Sequence, residues 1–407
     1  MKVALVVEHL GIGGLPNYVL SLARLLETEG AAARVFHGNV DVPGHLDTDG
    51  LDIQHLPGLT SDADPSLARG AVTRLLTWQP DVVHVHLCGS LPTIDALLES
   101  GVPLVRTFHD LTSLCLRLGR RRWPGDRCQR ALHWSCVGFG CMVSPPRNGS
   151  RFPHIADLSA KLGECSRYRK FGIAVACSSF MGRTLELNGF RPDRIRVVPN
   201  FSPFEAEARD TVSPQKRPGV PGRDRTFELL FAGQAVAGKG LEVLITALHG
   251  LEGEWRLTVL AEGPRLGRAK ALADRFGLTD RIDFAGWTSQ AQTRRHYRNA
   301  DLFLLTSIID EVLPMVGLEA MSFGTPLVGF AVGGIPDMLV NDETSVLVRD
   351  VSADGFRTAL RQAMSDPSRL AFWGLQSRRL IAQRHTSVQH IAALQEAYCA
   401  ARAVGSI

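Results

Sequence analysis

The residue types best suited to chemistry lie in one stretch, residues 306–336, which reads TSIIDEVLPMVGLEAMSFGTPLVGFAVGGIP. Two carboxylates in it, Glu311 and Glu319, stand eight positions apart. Between them Pro314 suits the first turn of a helix, because proline lacks an amide hydrogen and has a fixed φ. Helix N-termini attract phosphate, and carboxylates accept hydrogen bonds from hydroxyl groups. The stretch therefore predicts a pocket for a nucleotide sugar.

The residues around the two acids predict the elements that position them. The apolar residues of a buried helix are Met315, Val316, Leu318, Met321 and Phe323. Gly324 followed by Pro326 ends this helix, and residues 326–330 read as a short buried strand. A second glycine loop follows, and Pro336 starts another helix. Two helix N-termini, after residues 312 and 334, thus follow two loops.

A glycine loop with one lysine is the second chemical feature. Residues 227–232 read as a strand, residues 233–240 (GQAVAGKG) as a loop, and a helix follows. A lysine just before a helix can neutralise a diphosphate leaving group. The loop does not match G-x-x-x-x-G-K-[ST], because Gly240 follows Lys239, and this disfavours a P-loop NTPase.

In order, E-x7-E, A-M-x-x-G-x-P and G-G-x-P resemble the donor-binding signature of retaining glycosyltransferase family 4, which has the GT-B fold. The resemblance implies an α/β chain of two Rossmann-like, doubly wound domains facing a cleft. It implies that Glu319 holds the ribose diol and that Glu311 touches donor-sugar hydroxyls. Lys239 and the helix N-termini would stabilise the departing diphosphate. The match spans almost the whole chain and is weakest over residues 111–170.

The same resemblance marks further donor-contacting positions. They are Gly13, Gly14, Gly233, Gln234, Gly263, Arg265, Pro314, Met315 and Val316. Gln234 stands where the family usually has an arginine, so the electrostatic clamp on the diphosphate is weaker, and Arg265 is one possible substitute. Val312 stands where the family often has glycine.

The N-terminal half reads as a first doubly wound domain, opening with a buried strand at residues 3–7, a glycine loop at 11–14 and an amphipathic helix. The loop lacks the full G-x-G-x-x-G pattern and no acid closes the next strand, which disfavours dinucleotide binding. The strand VPLVRTFHD ends at His109. The resemblance makes His109 the histidine that reaches the donor sugar; a histidine satisfied by local bonding is the alternative.

Residues 111–170 form an elaborated lobe with five cysteines and an arginine cluster. The arginines are Arg117, Arg120, Arg121, Arg122, Arg127 and Arg130. They could meet an anionic acceptor, although a solvated surface is favoured. The candidate zinc ligands are Cys128, His133, Cys136 and Cys141, with Cys115 as another. No C-x2-C pair is present, so separate reduced thiols are favoured over a metal site.

A chain of 407 residues is too long for one core and predicts two domains. We expect an N-terminal acceptor domain at residues 1–205, a donor domain at 206–385 and a helix at 386–407 that returns to the first domain. The proline-rich stretch 201–226 reads as the linker.

The composition is that of an ordinary globular protein, with 45% hydrophobic and 21% charged residues. A net charge of +4 is too small to indicate a nucleic-acid partner. The N-terminus MKVALVVEHL reads as a strand and not as a signal peptide, and no run of 18 apolar residues occurs. We therefore expect a cytoplasmic location, no transmembrane segment and no disulfides.

Together these features predict a retaining glycosyltransferase that moves a sugar from a nucleotide sugar, UDP favoured and GDP possible, to a hydroxyl group. No cofactor or metal is expected, because the D-x-D triplets at 47–49 and 62–64 lie in polar loops outside the donor domain. The acceptor is open among small molecules, glycans and lipid-linked compounds. The alternatives are an epimerase or phosphorylase-like enzyme on the same scaffold, or an inactive sugar-nucleotide-binding module, supported only by Gln234.

Overall fold

The computed structural model of the chain describes residues 1–11, 13–39, 46–117, 119–121, 127–144, 154–209, 220–222 and 224–405. The chain divides into two compact units. The N-terminal unit comprises Met1–Pro199 and Val388–Ile407, and the C-terminal unit comprises Asn200–Ser387. Within the described residues, we find no helix with the length and apolar character needed to cross a membrane.

The N-terminal unit is built on a parallel sheet. Its strands are β1 (Lys2–Val7), β2 (Ala32–His37), β3 (Ile53–His55), β4 (Val82–Leu87), β5 (Leu104–Phe108), the hairpin strands β6 (Val143–Ser144) and β7 (His154–Ile155), then β8 (Ile173–Ala176) and β9 (Ile195–Val197). Its helices are α1 (Gly14–Thr28), α2 (Pro65–Leu76), α3 (Leu91–Glu99), α4 (Leu158–Tyr168) and α5 (Ser179–Leu187). The strand order is β3-β2-β1-β4-β5-β8-β9, and β6 pairs only with β7 among the described residues.

The order of this sheet reverses between β1 and β4. Residues 3–7 of β1 are fully buried, as expected for a central parallel strand covered by helices on both faces. The loops after β1 and β4 leave the sheet in opposite directions at this switch point, and such a divergence is where doubly wound sheets bind ligands.

The C-terminal unit repeats this plan. Its helices and strands are α6 (Glu205–Arg209), β10 (Phe227–Ala232), α7 (Leu241–Leu248), β11 (Trp255–Leu260), α8 (Leu266–Arg275), β12 (Ile282–Asp283), α9 (Gln290–Asn299), β13 (Leu302–Leu305), α10 (Met315–Ser322), β14 (Leu327–Phe330), α11 (Ile335–Met338), β15 (Ser345–Val348), α12 (Ala353–Met364) and α13 (Pro367–Arg384). The parallel strand order is β12-β11-β10-β13-β14-β15, so the switch point lies between β10 and β13.

The last helix, α14 (Ser387–Gly405), runs almost entirely within the N-terminal unit. The Tyr398 hydroxyl lies 2.8 Å from His84 Nδ1 on β4, and the Tyr18 hydroxyl on α1 lies 2.7 Å from His390 Nε2. All four side chains are buried. Two polar contacts therefore fix α14 against the central strand and the first helix.

Several predicted elements differ from the structure. The linker prediction is wrong for residues 201–209, where Phe201, Ser202 and Phe204 are buried and α6 forms; the proline-rich remainder to residue 219 falls outside the described residues. The 18-residue helix α13 was not predicted, because its buried side includes Gly374, Ser377 and Arg378 and so does not read as apolar. The lobe at 111–170 ends in a regular helix, α4, capped by Asp157.

Candidate functional site

Two loops meet at the switch point of the C-terminal unit, one after β10 and one after β13. The amide of Ile308 donates to the Gly238 carbonyl at 2.9 Å, and the Thr306 hydroxyl donates to the Lys239 carbonyl at 3.0 Å. Gly240 has φ +69°, and a Cβ there would lie 2.0 Å from the Thr306 carbonyl oxygen. Only glycine allows this approach, which brings the lysine loop onto the carboxylate loop.

Lys239 and Glu311 form an ion pair across these loops. Lys239 Nζ donates to Glu311 Oε1 at 2.5 Å, and the Ser307 hydroxyl donates to the same oxygen at 2.6 Å. The side chains of Lys239 and Glu311 are 28% and 15% exposed, so the pair is only partly solvated. Glu311 Oε2 has no partner among the described residues, and this leaves one carboxylate oxygen for a hydroxyl group.

The second glycine loop holds the backbone of Glu311 in place. The Gly334 amide donates to the Glu311 carbonyl at 2.7 Å, and the Gly333 amide donates to Asp310 Oδ1 at 3.1 Å. Gly333 has φ +56°, and a Cβ there would lie 2.1 Å from the Glu311 carbonyl oxygen. The helix that follows, α11, is a single turn of four residues, too short for an appreciable macrodipole.

α10 presents the longer helix N-terminus at this switch point. Pro314 is its N-cap residue with φ −73° and ψ 111°, and no side chain caps the helix. The amides of Met315 and Val316 are therefore among the first-turn donors that an α-helix cannot satisfy itself. Together with Lys239, they supply the positive charge and the N–H donors that phosphate oxygens require.

Glu319, on the second turn of α10, is held by Tyr297. The Tyr297 hydroxyl donates to Glu319 Oε2 at 2.8 Å. Tyr297 is fully buried and stacks on Phe323 at 5.7 Å and 12°. Burial raises the pKa of Glu319, and the hydrogen bond from Tyr297 opposes this rise. The phenol thus favours the ionised carboxylate, the form that accepts two hydroxyl hydrogen bonds.

The loop after β11 pairs with the lysine loop. The Arg265 amide donates to the Ala235 carbonyl at 2.9 Å, and a Cβ on Gly263 (φ +142°) would lie 2.7 Å from that same oxygen. Arg265 Nε donates to Glu242 Oε1 at 2.7 Å in the first turn of α7. Arg265 is therefore engaged by a carboxylate, whereas Gln234 is exposed at the tip of the loop that begins at Gly233.

In the N-terminal unit, His109 follows β5 and lies in a buried histidine cluster. Its Nε2 is 3.0 Å from His86 Nδ1, its Nδ1 is 3.7 Å from Cys177 Sγ, and its ring packs edge-on against Tyr18 at 4.7 Å. Burial lowers the pKa of both His86 and His109 well below the usual value, so both are neutral at pH 7. Gly13 and Gly14 begin α1 at the same switch point.

Four of the five cysteines of the lobe line one cavity. Cys115, Cys128, Cys136 and Cys141 line it together with Arg117 and Arg120. His133 is exposed and instead accepts a hydrogen bond from the Ser135 amide at 3.2 Å. No three His, Cys, Asp or Glu side chains in the described part of the chain are arranged to hold a metal ion. Of the zinc ligands considered from the sequence, His133 does not line this cavity. Arg122 lies outside the described residues.

Three residues of these sites carried no sequence signal. Ser307, Tyr297 and His86 contact Glu311, Glu319 and His109, respectively. Tyr297 precedes its carboxylate by 22 positions and lies on a different helix. The Tyr297 contact depends on the parallel sheet, which brings the successive helices α9 and α10 side by side.

Two family models together match most of the chain. Residues 213–380 match the glycosyl transferases group 1 family, and residues 12–203 match Glycosyltransferase Family 4. The D-inositol 3-phosphate glycosyltransferase of Kineococcus radiotolerans is 30% identical over 410 residues, covering 90% of this chain and 86% of that protein. The enzyme of the same name from Xylanimonas cellulosilytica is 29% identical over 391 residues, covering 88% and 85%.

Solved structures show the same fold at lower identity. A glycosyltransferase from Rickettsia africae superposes with a TM-score of 0.71 at 14% identity, over 98% of this chain and 97% of that chain. Anabaena HepE in complex with UDP superposes with a TM-score of 0.70 at 16% identity, over 97% and 99%. The fold and these matches define a glycosyltransferase of the GT-B class. The chain belongs to glycosyltransferase family 4.

Proposed function

We propose that this glycosyltransferase uses a nucleotide sugar, with UDP favoured and GDP possible, transfers the sugar with retention, and needs no metal ion. The observation that carries the proposal is the Lys239–Glu311 pair beside the uncapped N-terminus of α10. The bond to the anomeric carbon breaks as negative charge develops on the diphosphate. Fixed donors stabilise that charge without having to reorganise during the reaction.

In this proposal, Lys239 and the first amides of α10 bind the diphosphate. The free Oε2 of Glu311 accepts a donor-sugar hydroxyl, while its Oε1 stays with Lys239 and Ser307. Glu319, held by Tyr297, accepts the ribose hydroxyls. A carboxylate already bonded to an ammonium and a hydroxyl is a weak nucleophile, so we assign no covalent intermediate to Glu311.

Metal independence is proposed because Lys239 and the first amides of α10 would stabilise the developing charge in place of a metal ion. The two D-x-D triplets have other partners in the N-terminal unit: Asp47 pairs with Arg24 at 3.0 Å, and Asp64 caps α2 through the amides of Ser66 and Leu67. The name of the relatives suggests a polyol phosphate acceptor, and Anabaena HepE in complex with UDP supports a uridine donor as the first choice.

The test is a thermal-shift screen with UDP, GDP, ADP and dTDP sugars, followed by nucleotide release with acceptors that include inositol phosphates. We expect stabilisation by one nucleotide series, turnover that persists in EDTA, and an anomeric configuration unchanged by NMR. Turnover restored only by added divalent metal would overturn metal independence. An inverted product would overturn retention, and no stabilisation by any of the sugars would overturn the donor assignment.

A further inference from the structure

The lobe of the N-terminal unit carries an exposed apolar surface to which the proposed function assigns no role. Four large apolar side chains are exposed there: Trp134 at 59%, Val137 at 54%, Val143 at 47% and Ile155 at 69%. Trp134 and Val137 are three residues apart at a 3₁₀ turn (Trp134–Cys136), a spacing that places side chains on one side. Val143 and Ile155 are direct partners across the β6–β7 hairpin.

Backbone hydrogen bonds link the segments that carry these two pairs. The Val137 amide donates to the Trp134 carbonyl at 3.1 Å, the Gly140 amide to the Val137 carbonyl at 3.0 Å, and the Val143 amide to the Gly140 carbonyl at 3.3 Å. Each turn thus leads directly into the next. We call Trp134, Val137, Val143 and Ile155 the lobe surface.

The charge around the lobe surface is mainly positive. Residues 111–157 contain eight arginines and two acidic residues, Asp126 and Asp157. Three lobe arginines have neutral partners: Arg117 donates to the Gly140 carbonyl, Arg120 donates to the Thr184 hydroxyl, and Arg130 lies over the Phe139 ring at 4.7 Å. Because these contacts leave the guanidinium charges in place, the lobe surface is set in a cationic field.

We propose that the lobe surface docks peripherally on an anionic lipid bilayer. An exposed tryptophan beside aliphatic residues suits the membrane–water interface, where the indole sits at headgroup level. An excess of arginine over acidic residues suits the negative potential of anionic headgroups. This combination of exposed apolar side chains and a mainly cationic lobe fits the surface of an anionic bilayer.

The test is co-flotation of the full chain with vesicles of phosphatidylcholine alone or with about a third phosphatidylglycerol. We expect binding only to the anionic vesicles, weakened by added salt because surface electrostatics are screened. Trp134→Ala/Ile155→Ala should lower the bound fraction by about fivefold or more. The matched control is Phe372→Ala/Leu375→Ala, which removes two side chains that are each 48% exposed on α13, and it should bind as the unaltered chain does.

Three outcomes would overturn the proposal: no binding to anionic vesicles at low salt, equal loss in the control variant, or unchanged binding of Trp134→Ala/Ile155→Ala. Retention of a lysate protein in place of lipid would also overturn it. Melting temperatures of both double variants check that the fold is intact. Vesicle binding is measured without any nucleotide sugar, so its failure and the failure of the proposed transfer reaction are distinguishable.

Discussion

The Tyr297 hydroxyl donates to Glu319 Oε2 at 2.8 Å, and this is the one hydrogen bond that the Glu319 side chain makes with a described residue. Tyr297 itself is fixed by stacking on Phe323 and by the Thr325 hydroxyl, which donates to its carbonyl at 2.6 Å. A conformationally locked donor thus sets the position and charge of a buried carboxylate. Removal of the Tyr297 hydroxyl should weaken donor binding and leave the overall fold unchanged.

Tyr297→Phe should raise the dissociation constant for the donor nucleotide about fivefold, the value of one hydrogen bond of about 1 kcal/mol. Burial raises the pKa of Glu319 and the phenol opposes it, so the variant should have a still higher pKa. Donor binding requires the ionised carboxylate. As the pH is lowered, donor affinity should therefore begin to fall at a higher pH in the variant than in the unaltered chain. Isothermal titration across pH measures both effects.

The matched control for that change is Tyr168→Phe in the N-terminal unit. Tyr168 is also fully buried and its hydroxyl donates to a neutral group, the Cys88 carbonyl. It should lower stability without shifting the pH dependence of donor affinity. Identical pH profiles for Tyr297→Phe and the unaltered chain would remove the role assigned to Tyr297.

Lys239→Ala should lower kcat by about 100-fold, because it removes the charge nearest to the proposed diphosphate site and frees Glu311 Oε1. Lys239→Arg should recover part of the loss. Arg265→Ala should cost much less, since Arg265 is engaged by Glu242 at 2.7 Å. Steady-state kinetics decide the point: a larger loss in Arg265→Ala than in Lys239→Ala would make Arg265 the diphosphate residue.

Gln234→Arg should raise kcat by about two- to tenfold. Gln234 is exposed on the lysine loop, so a guanidinium there adds positive charge without displacing a packed group. The gain should shrink with ionic strength, as expected for a partly solvated charge. Gln234→Lys is the comparison, because lysine adds a positive charge without the planar guanidinium group of arginine. An unchanged kcat in both variants would show that the diphosphate lies elsewhere.

Gly240→Ala should lower both the melting temperature and kcat, because the new Cβ would lie 2.0 Å from the Thr306 carbonyl oxygen and force the two loops apart. Gly250→Ala is the matched control: Gly250 also has positive φ, +82°, but nothing lies within 4 Å of its Cβ position. Both variants bear the cost of a left-handed residue. Only Gly240→Ala should lose activity beyond its loss of stability, as thermal melts and kinetics of the same samples would show.

Stability of the N-terminal unit should fall in acid. Burial lowers the pKa of His84 to about 3, from an ordinary value of 6.5. The folded form keeps His84 neutral while the unfolded chain takes up a proton, so stability is full above pH 6.5 and is lost as pH falls toward 3. The basic groups that face His84 are His86, Arg106 and His390. Each of them is cationic when charged, so none offsets the loss of stability.

The expected slope is about 1.4 kcal/mol per pH unit for each such histidine over that window. Urea unfolding at pH 7.5 and pH 5 measures it. His84→Gln should flatten the slope, whereas His9→Gln should not, because the His9 side chain is 54% exposed. Equal slopes for both variants would show that acid instability arises at other groups.

Much of this architecture follows from local patterns. Apolar runs such as residues 227–232 predict central parallel strands, and the proline before α10 predicts where that helix begins, since both signals are short-range. The Lys239 and Glu311 loops could be singled out because glycine and charge coincide there. Their direct pairing could not, since it depends on β10 and β13 being neighbours although 69 residues separate Ala232 from Leu302 with β11 and β12 between.

Other features could not be predicted from the sequence for a different reason. Tyr297 looks like an ordinary core aromatic in sequence, and its role comes from the direction of one hydroxyl. The packed segment 201–209 carries a proline and charges that read as linker, yet Glu207 pairs with Arg294 and Arg298 of α9 at 2.9 and 2.7 Å. Composition describes how a segment would behave alone; partners far away in the chain decide whether it is anchored.

The placement of α14 has a consequence for synthesis on the ribosome. Because the whole C-terminal unit is inserted between Pro199 and Val388, the first unit to be translated is the last to be completed. His84 and Tyr18 emerge early, but their partners Tyr398 and His390 arrive only after more than 300 further residues. A nascent chain must therefore hold its first sheet and α1 without these two contacts until translation is nearly over, and a chain that stops at residue 387 never forms them.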